Sequence, residues 1–136
     1  MADSTWSDDL QEVKEFEHAL VIDHDAKVLA SKNVDTSKFA AEIPNLPKLF
    51  ASRDTAVRAG VDFLGEHYDV HRAYEDLIYG RRGDSATGAG VALCRVKRKS
   101  DGNFVYSIAV FKFPVISANA VPRLRDFTTE KVASTL

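Results

Sequence analysis

The sequence predicts an α+β fold: a central antiparallel β-sheet of about seven strands, with the N- and C-terminal helices packed together on one face and a shorter helical segment, Thr36 to Ser52, on the other. Three observations predict it. The stretch Gly60 to Val96, GVDFLGEHYDVHRAYEDLIYGRRGDSATGAGVALCRV, is the densest run of strand signals in the chain. Its segments rich in Val, Tyr, Leu and Ile are separated by Gly65-Glu66, Tyr74-Glu75 and the stretch Gly83 to Gly90, the spacing of antiparallel hairpins and not of βαβ units. Next, Ala19 to Ile22 and Phe104 to Phe113 are apolar on both faces, which requires cover on both sides of the sheet. Finally, the chain begins and ends in segments of helical period.

Taken in order, Asp3, Ser4 and Thr5 can each cap a helix, and Trp6, Leu10, Val13 and Phe16 follow as one apolar stripe. Trp6 lies in the first turn, where a large ring is seldom wholly enclosed; it either anchors the helix or forms half of an aromatic binding surface. Ala19 to Ile22 and Val28 to Ala30 read as a hairpin across His24-Asp25-Ala26-Lys27. Asp35 or Thr36 can cap a second helical segment holding Phe39, Ala40 and Ile43. Pro44 lacks an amide hydrogen and should break it, and Pro47 should restart it, carrying Leu49 and Phe50 to the core. Arg53-Asp54-Thr55 is expected to return the chain directly to the meander.

Within the meander, Gly80-Arg81-Arg82-Gly83 sets two cations where a strand gives way to a turn, and both are expected to face solvent. After Gly90, Val91, Leu93 and Arg95 point one way while Ala92, Cys94 and Val96 point the other. Arg95, Lys97, Arg98 and Lys99 form a basic rim before the turn Ser100-Asp101-Gly102-Asn103; taken alone, they read as a solvated hairpin end whose lysines discourage edge pairing. The last helix is expected after Ser117-Ala118-Asn119, with Pro122 in its first turn. Val121, Leu124, Thr128 and Val132 share its buried stripe, and Phe127, to one side, should be part exposed.

The length of 136 residues is that of a single domain, residues 1–136, with a core that needs no staples. A net charge of -2 gives no bulk argument for nucleic acid as a partner. The single cysteine, Cys94, excludes an internal disulfide and reads as a small buried hydrophobe. The acidic, polar start MADSTWSDDLQ lacks the pattern of a secretory signal, and no apolar run approaches the roughly 20 residues of a membrane span, so a soluble intracellular protein is expected.

Catalytic patterns are missing. His67 and His71, four apart in a predicted strand, would stand about 13 Å apart, too far to share a zinc ion. No glycine-rich phosphate loop ends in Lys-Ser/Thr, and no nucleophile, base and acid can be grouped. Neither an enzyme nor a cofactor is expected.

The order helix, hairpin, helical segment, five-stranded meander, helix resembles that of the profilin family, over nearly the whole chain. The run carrying most of the resemblance is Gly60, Leu64-Gly65, Tyr68, Arg72, Asp76 and Ile78-Tyr79-Gly80-Arg81-Arg82-Gly83. Trp6 is similar to the family's N-terminal Trp, Pro114-Val115 to the Pro-Val before its last helix, and Asn119, Leu124, Asp126 and Phe127 to the Asn and Leu-x-Asp-Tyr within it.

The resemblance implies a monomeric cytoplasmic adaptor of the cytoskeleton that binds monomeric actin and regulates its polymerisation. The actin-facing positions implied are Arg72, Arg81, Arg82, Lys97, Asn119, Arg123 and Arg125. Those implied for poly-proline are Trp6 and Phe127, and those for anionic phosphoinositides are Arg81, Arg82, Arg95, Lys97, Arg98 and Lys99. The chain departs from the pattern where Leu29 replaces a second Trp, Asp9 a Tyr, Thr128 follows Phe127, and Leu136 ends the chain in place of an aromatic. A groove with two rings instead of four should hold a proline-rich helix weakly. Two alternatives use similar strand and helix mixtures. A roadblock- or longin-like scaffold regulating a small GTPase or motor complex would be a stable dimer, and a ligand-sensing domain of PAS type would enclose a large apolar cavity.

Overall fold

Strands β1 (His18–Asp23), β2 (Val28–Lys32), β3 (Val61–Phe63), β4 (Glu66–Ala73), β5 (Leu77–Arg82), β6 (Ala89–Lys97) and β7 (Phe104–Lys112) pair in one antiparallel sheet of order β2-β1-β7-β6-β5-β4-β3. The computed structural model describes residues 8–83, 88–112 and 115–133. The caps at Asp3, Ser4 and Thr5, together with Trp6, Phe113, Pro114 and Leu136, lie outside the described residues. The five-stranded meander β3 to β7 falls where the turn signals put it, and the N-terminal hairpin docks on β7 through β1.

Both faces of the sheet are covered. On one, Leu20, Ile22, Val91, Leu93 and Ile108 pack with Ile43, Leu46, Leu49 and Phe50. On the other, Ala19, Ala92 and Ala109 lie side by side across β1, β7 and β6, a row without bulk that seats the terminal helices closely. There the helical residues 8–12 (α1) and the turn after them contribute Leu10, Val13 and Phe16.

The segment between β2 and β3 is less helical than its sequence suggests. Residues 36–42 form turns, with Asp35 Oδ1 accepting from the Lys38 amide at 3.1 Å, and the chain then winds as two 3-10 turns, Ile43–Asn45 and Pro47–Ala51, each with a proline at its first or second position. Contrary to expectation, Arg53–Ala59 is a helix (α2). Ser52 caps it by accepting from the Thr55 amide at 3.0 Å, and Gly60 closes it at φ 68° with its amide donating to Ala56 O at 2.9 Å. A side chain at Gly60 would meet the His67 ring and Tyr68 O.

The last helix, α3 (Ser117–Phe127), starts three residues earlier than expected, so Pro122 sits inside it and not in its first turn. It continues into a wider π-helical winding, Thr128–Ala133. Val121, Leu124, Thr128 and Val132 are buried as their period predicts, and Thr128 Oγ1 donates to Leu124 O at 2.7 Å. Phe127 is a correction: it is 2% exposed. The helix is covered by the sheet and by the N-terminal segment at once, so its buried arc is wider than a single stripe and takes in both Ala120 and Phe127.

Candidate functional site

Among the described residues, the terminal helices do not cover their whole face of the sheet: α3 and the winding after it rest mainly on β6 and β7, which leaves the adjoining surface of β5 and β4 open. Between this surface and α3 runs a cleft of about 1140 Å³, with Leu77, Tyr79, Cys94 and Val96 on its floor, Tyr74 at its rim and Val121, Pro122 and Arg125 on the helix side.

A β-bulge sets the register of this site. Val70 pairs with Gly80 but Arg72 pairs with Tyr79, so His71 is an extra residue on β4. Strict alternation from Val70, which packs with Ile43 and Phe50, would put Arg72 on that same covered face. The inserted residue instead puts Arg72 beside Tyr79, which packs on the terminal-helix side. Gly80 is required opposite: a Cβ there would collide with the backbone of Asp69.

The rings of Tyr74 and Tyr79 lie 6.5 Å apart, with Tyr74 58% exposed and Tyr79 half-buried. Partial burial, and then the neighbouring Tyr74, raises the Tyr79 pKa. The Tyr79 phenol is a neutral donor at neutral pH, set over an apolar floor. At the floor's far side Cys94 is buried and its thiol is pushed up to about 11, chiefly by burial, so it offers no nucleophile. The arrangement suits recognition of a surface, with rings and aliphatic side chains at the centre and charges at the edge.

The structure divides the cations that the sequence groups. Lys97 and Arg125 line the cleft, Arg72 stands opposite Tyr79 on β4, and Arg81 shares the face of Tyr79 on β5. Arg82 belongs to the opposite face, where its guanidinium lies 5.7 Å from the Tyr68 ring centroid and 3.8 Å from Glu66. The expectation that both arginines stand out toward solvent therefore needs correction: each is half-buried. Asn119 and Arg123 occupy another flank of α3, a groove shared with Glu15 and Asp126, and Arg123 Nε is 3.9 Å from Glu15 Oε1.

The phosphoinositide set is likewise not one patch. Arg82 pairs with Ala89 at one end of β6 while Lys97 ends it at the other, roughly 26 Å away at the rise of a strand. Arg98 is engaged by Asp101 through two hydrogen bonds of 2.8 and 2.7 Å, and Arg95 by Asp76 at 2.9 Å. Lys97 and Lys99 remain exposed.

At the poly-proline positions, Phe127 presents no open ring face, Thr128 is enclosed, and Leu29 is half-buried against the helix-side core. Asp9 Oδ2 lies 3.6 Å from Lys131 Nζ, an ion pair between the terminal segments. The aromatic centre at Tyr74 and Tyr79 was not singled out by sequence reasoning. Its signals were present: a Tyr in a turn and a Tyr on the uncovered parity of β5.

The family profile described as Profilin matches residues 3–101. Among solved structures, Acanthamoeba castellanii profilin IA matches with a TM-score of 0.65 at 22% identity, over 98% of this chain and 94% of that one. Schizosaccharomyces pombe profilin matches at 0.66 and 17%, over 87% and 88%. The complex of LokiProfilin1 with rabbit actin matches at 0.67 and 13%, over 94% and 92%. At these identities the structures share the fold. A search of curated proteins found no match.

Proposed function

Since this chain belongs to the profilin family, we propose that it binds monomeric actin one-to-one through the cleft between β4, β5, β6 and α3, and so regulates actin polymerisation without catalysis of its own. The observation that carries this reading is the Tyr74–Tyr79 ring pair over an apolar floor, with Tyr74 exposed at the rim, Lys97 and Arg125 lining the cleft and Arg72 opposite Tyr79. Aromatic and aliphatic groups supply a centre that can be desolvated, while the cations at the edge speed encounter with an acidic partner and fix its orientation. The solved complex of LokiProfilin1 with rabbit actin, of the same fold, supports the choice of partner. Family membership sets aside the scaffold and ligand-sensing alternatives.

Sedimentation or fluorescence titration with monomeric actin tests the proposal, using actin from muscle and from the protein's own source. Slower spontaneous polymerisation and co-migration with monomers are expected. Failure of both at tens of micromolar would overturn it. Binding to proline-rich segments is weakened or lost in this reading, because Phe127 is enclosed and Leu29, Asp9 and Thr128 stand where the family carries groove residues. Attraction to anionic phosphoinositides is a secondary electrostatic property, divided between the Arg81 end of the sheet and the Lys97–Lys99 end.

A further inference from the structure

We propose that Arg95 is a positioning residue for the binding cleft, a strut that holds the Tyr74–Asp76 turn upright, and not a cation that meets a partner or a lipid. For the identity of the ligand the proposal rests on the actin reading above; the mechanical role stands on the following contacts alone.

Arg95 leaves β6 on the face away from the terminal helices, and its side chain is only 17% exposed. Its guanidinium lies 4.3 Å from the Phe104 ring centroid and 5.2 Å from that of Phe50, and both rings lean on Tyr106. From that aromatic seat Arg95 Nε donates to Asp76 Oδ1 at 2.9 Å, and the Arg95 amide donates to Asp76 O at 3.0 Å. The turn between β4 and β5 is thus tied twice to β6, once through the backbone and once through a planar group whose orientation the two rings fix. The turn itself is closed by a bond from the Tyr74 amide to Leu77 O at 2.7 Å.

Two hollows meet at this turn. The large cleft and a second hollow of about 360 Å³ beside Phe50 and Ser52 share Tyr74, Glu75 and Arg95. The turn is therefore a ridge with space on both sides. Without the strut, Tyr74 has room to fall toward either hollow, and the ring pair over the cleft floor would have to be ordered at the moment of binding, which weakens association. A charge already spent on Asp76 and stacked between two rings has little left for a third group.

The test compares Arg95→Gln, Asp76→Asn and Tyr74→Ala with the unaltered protein in titrations with monomeric actin, after thermal unfolding has shown each to be folded. A strut predicts that Arg95→Gln and Asp76→Asn each lower affinity about tenfold, and that neither lowers it by more than about twofold once Tyr74 is Ala. A contacting cation predicts the opposite sign for Asp76→Asn, because freeing Arg95 would raise affinity for an acidic partner; that result overturns the proposal. Hydrogen exchange keeps the two ideas separable. If the unaltered protein binds no actin, the actin reading fails, but Arg95→Gln must still speed exchange at residues 74–77 about tenfold while β1 and β7 stay protected. Unchanged exchange there overturns the strut whatever actin does.

Discussion

Arg82 lies over the ring of Tyr68 while its neighbour Arg81 serves the other face of the sheet, so two cations adjacent in sequence have separate tasks. Pleating sends successive side chains to opposite sides. A hydrogen bond with Tyr68 foremost raises the Arg82 pKa, and its Nε is buried without a hydrogen-bond partner. The two charge reversals should therefore separate. Arg81→Glu is expected to weaken actin binding at least about tenfold at low salt. Arg82→Glu is expected to lower the unfolding temperature, through repulsion from Glu66 and loss of the Tyr68 contact, and to change affinity less than about threefold. Titration and thermal melts of both variants check this.

Lipid binding should behave as two independent weak sites. Each cation near an anionic surface contributes about 1 kcal/mol. Reversing Lys97 and Lys99 should leave the contribution of Arg81 intact, because the ends of β6 are too far apart for one head group to span. Raising salt from about 0.1 M to about 1 M shortens the screening length from about 10 Å to about 3 Å and should abolish co-sedimentation with phosphoinositide vesicles. Binding that survives high salt would point to apolar insertion.

Proline-rich peptides at micromolar concentration should leave the fluorescence of Trp6, the sole tryptophan, nearly unchanged. Each missing aromatic platform costs on the order of 1–2 kcal/mol, so two of them lower affinity about 30-fold or more. A saturating change in that range would show that other residues rebuild the groove.

Cys94 should resist thiol reagents in the folded protein at pH 8 and react fully in denaturant. Burial pushes its folded pKa up to about 11 from an ordinary value of about 9, so the unfolded chain loses its proton first. The stabilisation is complete below about pH 9 and disappears as pH rises to about 11, on the order of 2–3 kcal/mol in all. Urea melts across this range should show stability of the native protein falling more steeply than that of Cys94→Ala.

Gly90→Ala should destabilise the fold by about 1–3 kcal/mol, since a Cβ there would stand 2.3 Å from the Phe111 ring. Phe111 closes over Gly90 across the β6–β7 pair, and the added methyl has no free volume to enter. Thermal unfolding measures the loss, and an unchanged melt would show that the ring can move aside.

The sheet, its meander and the assignment of helices to faces were legible in the chain's own pattern. These follow from local period and from the apolar character of Ala19 to Ile22 and of β7, which each residue carries wherever it is placed. The run Arg53 to Ala59 reads as a connection, and the helix there, capped by Ser52 and closed by Gly60, came from the structure. Which side chains meet depends on tertiary packing. A single bulge at His71 moves Arg72 beside Tyr79, because one added residue reverses every later side chain on a strand. Contact from two neighbours, not one, buries Phe127. And the fate of each cation depends on partners distant in the chain, Asp76 for Arg95 and Tyr68 for Arg82, which no spacing in the sequence reveals.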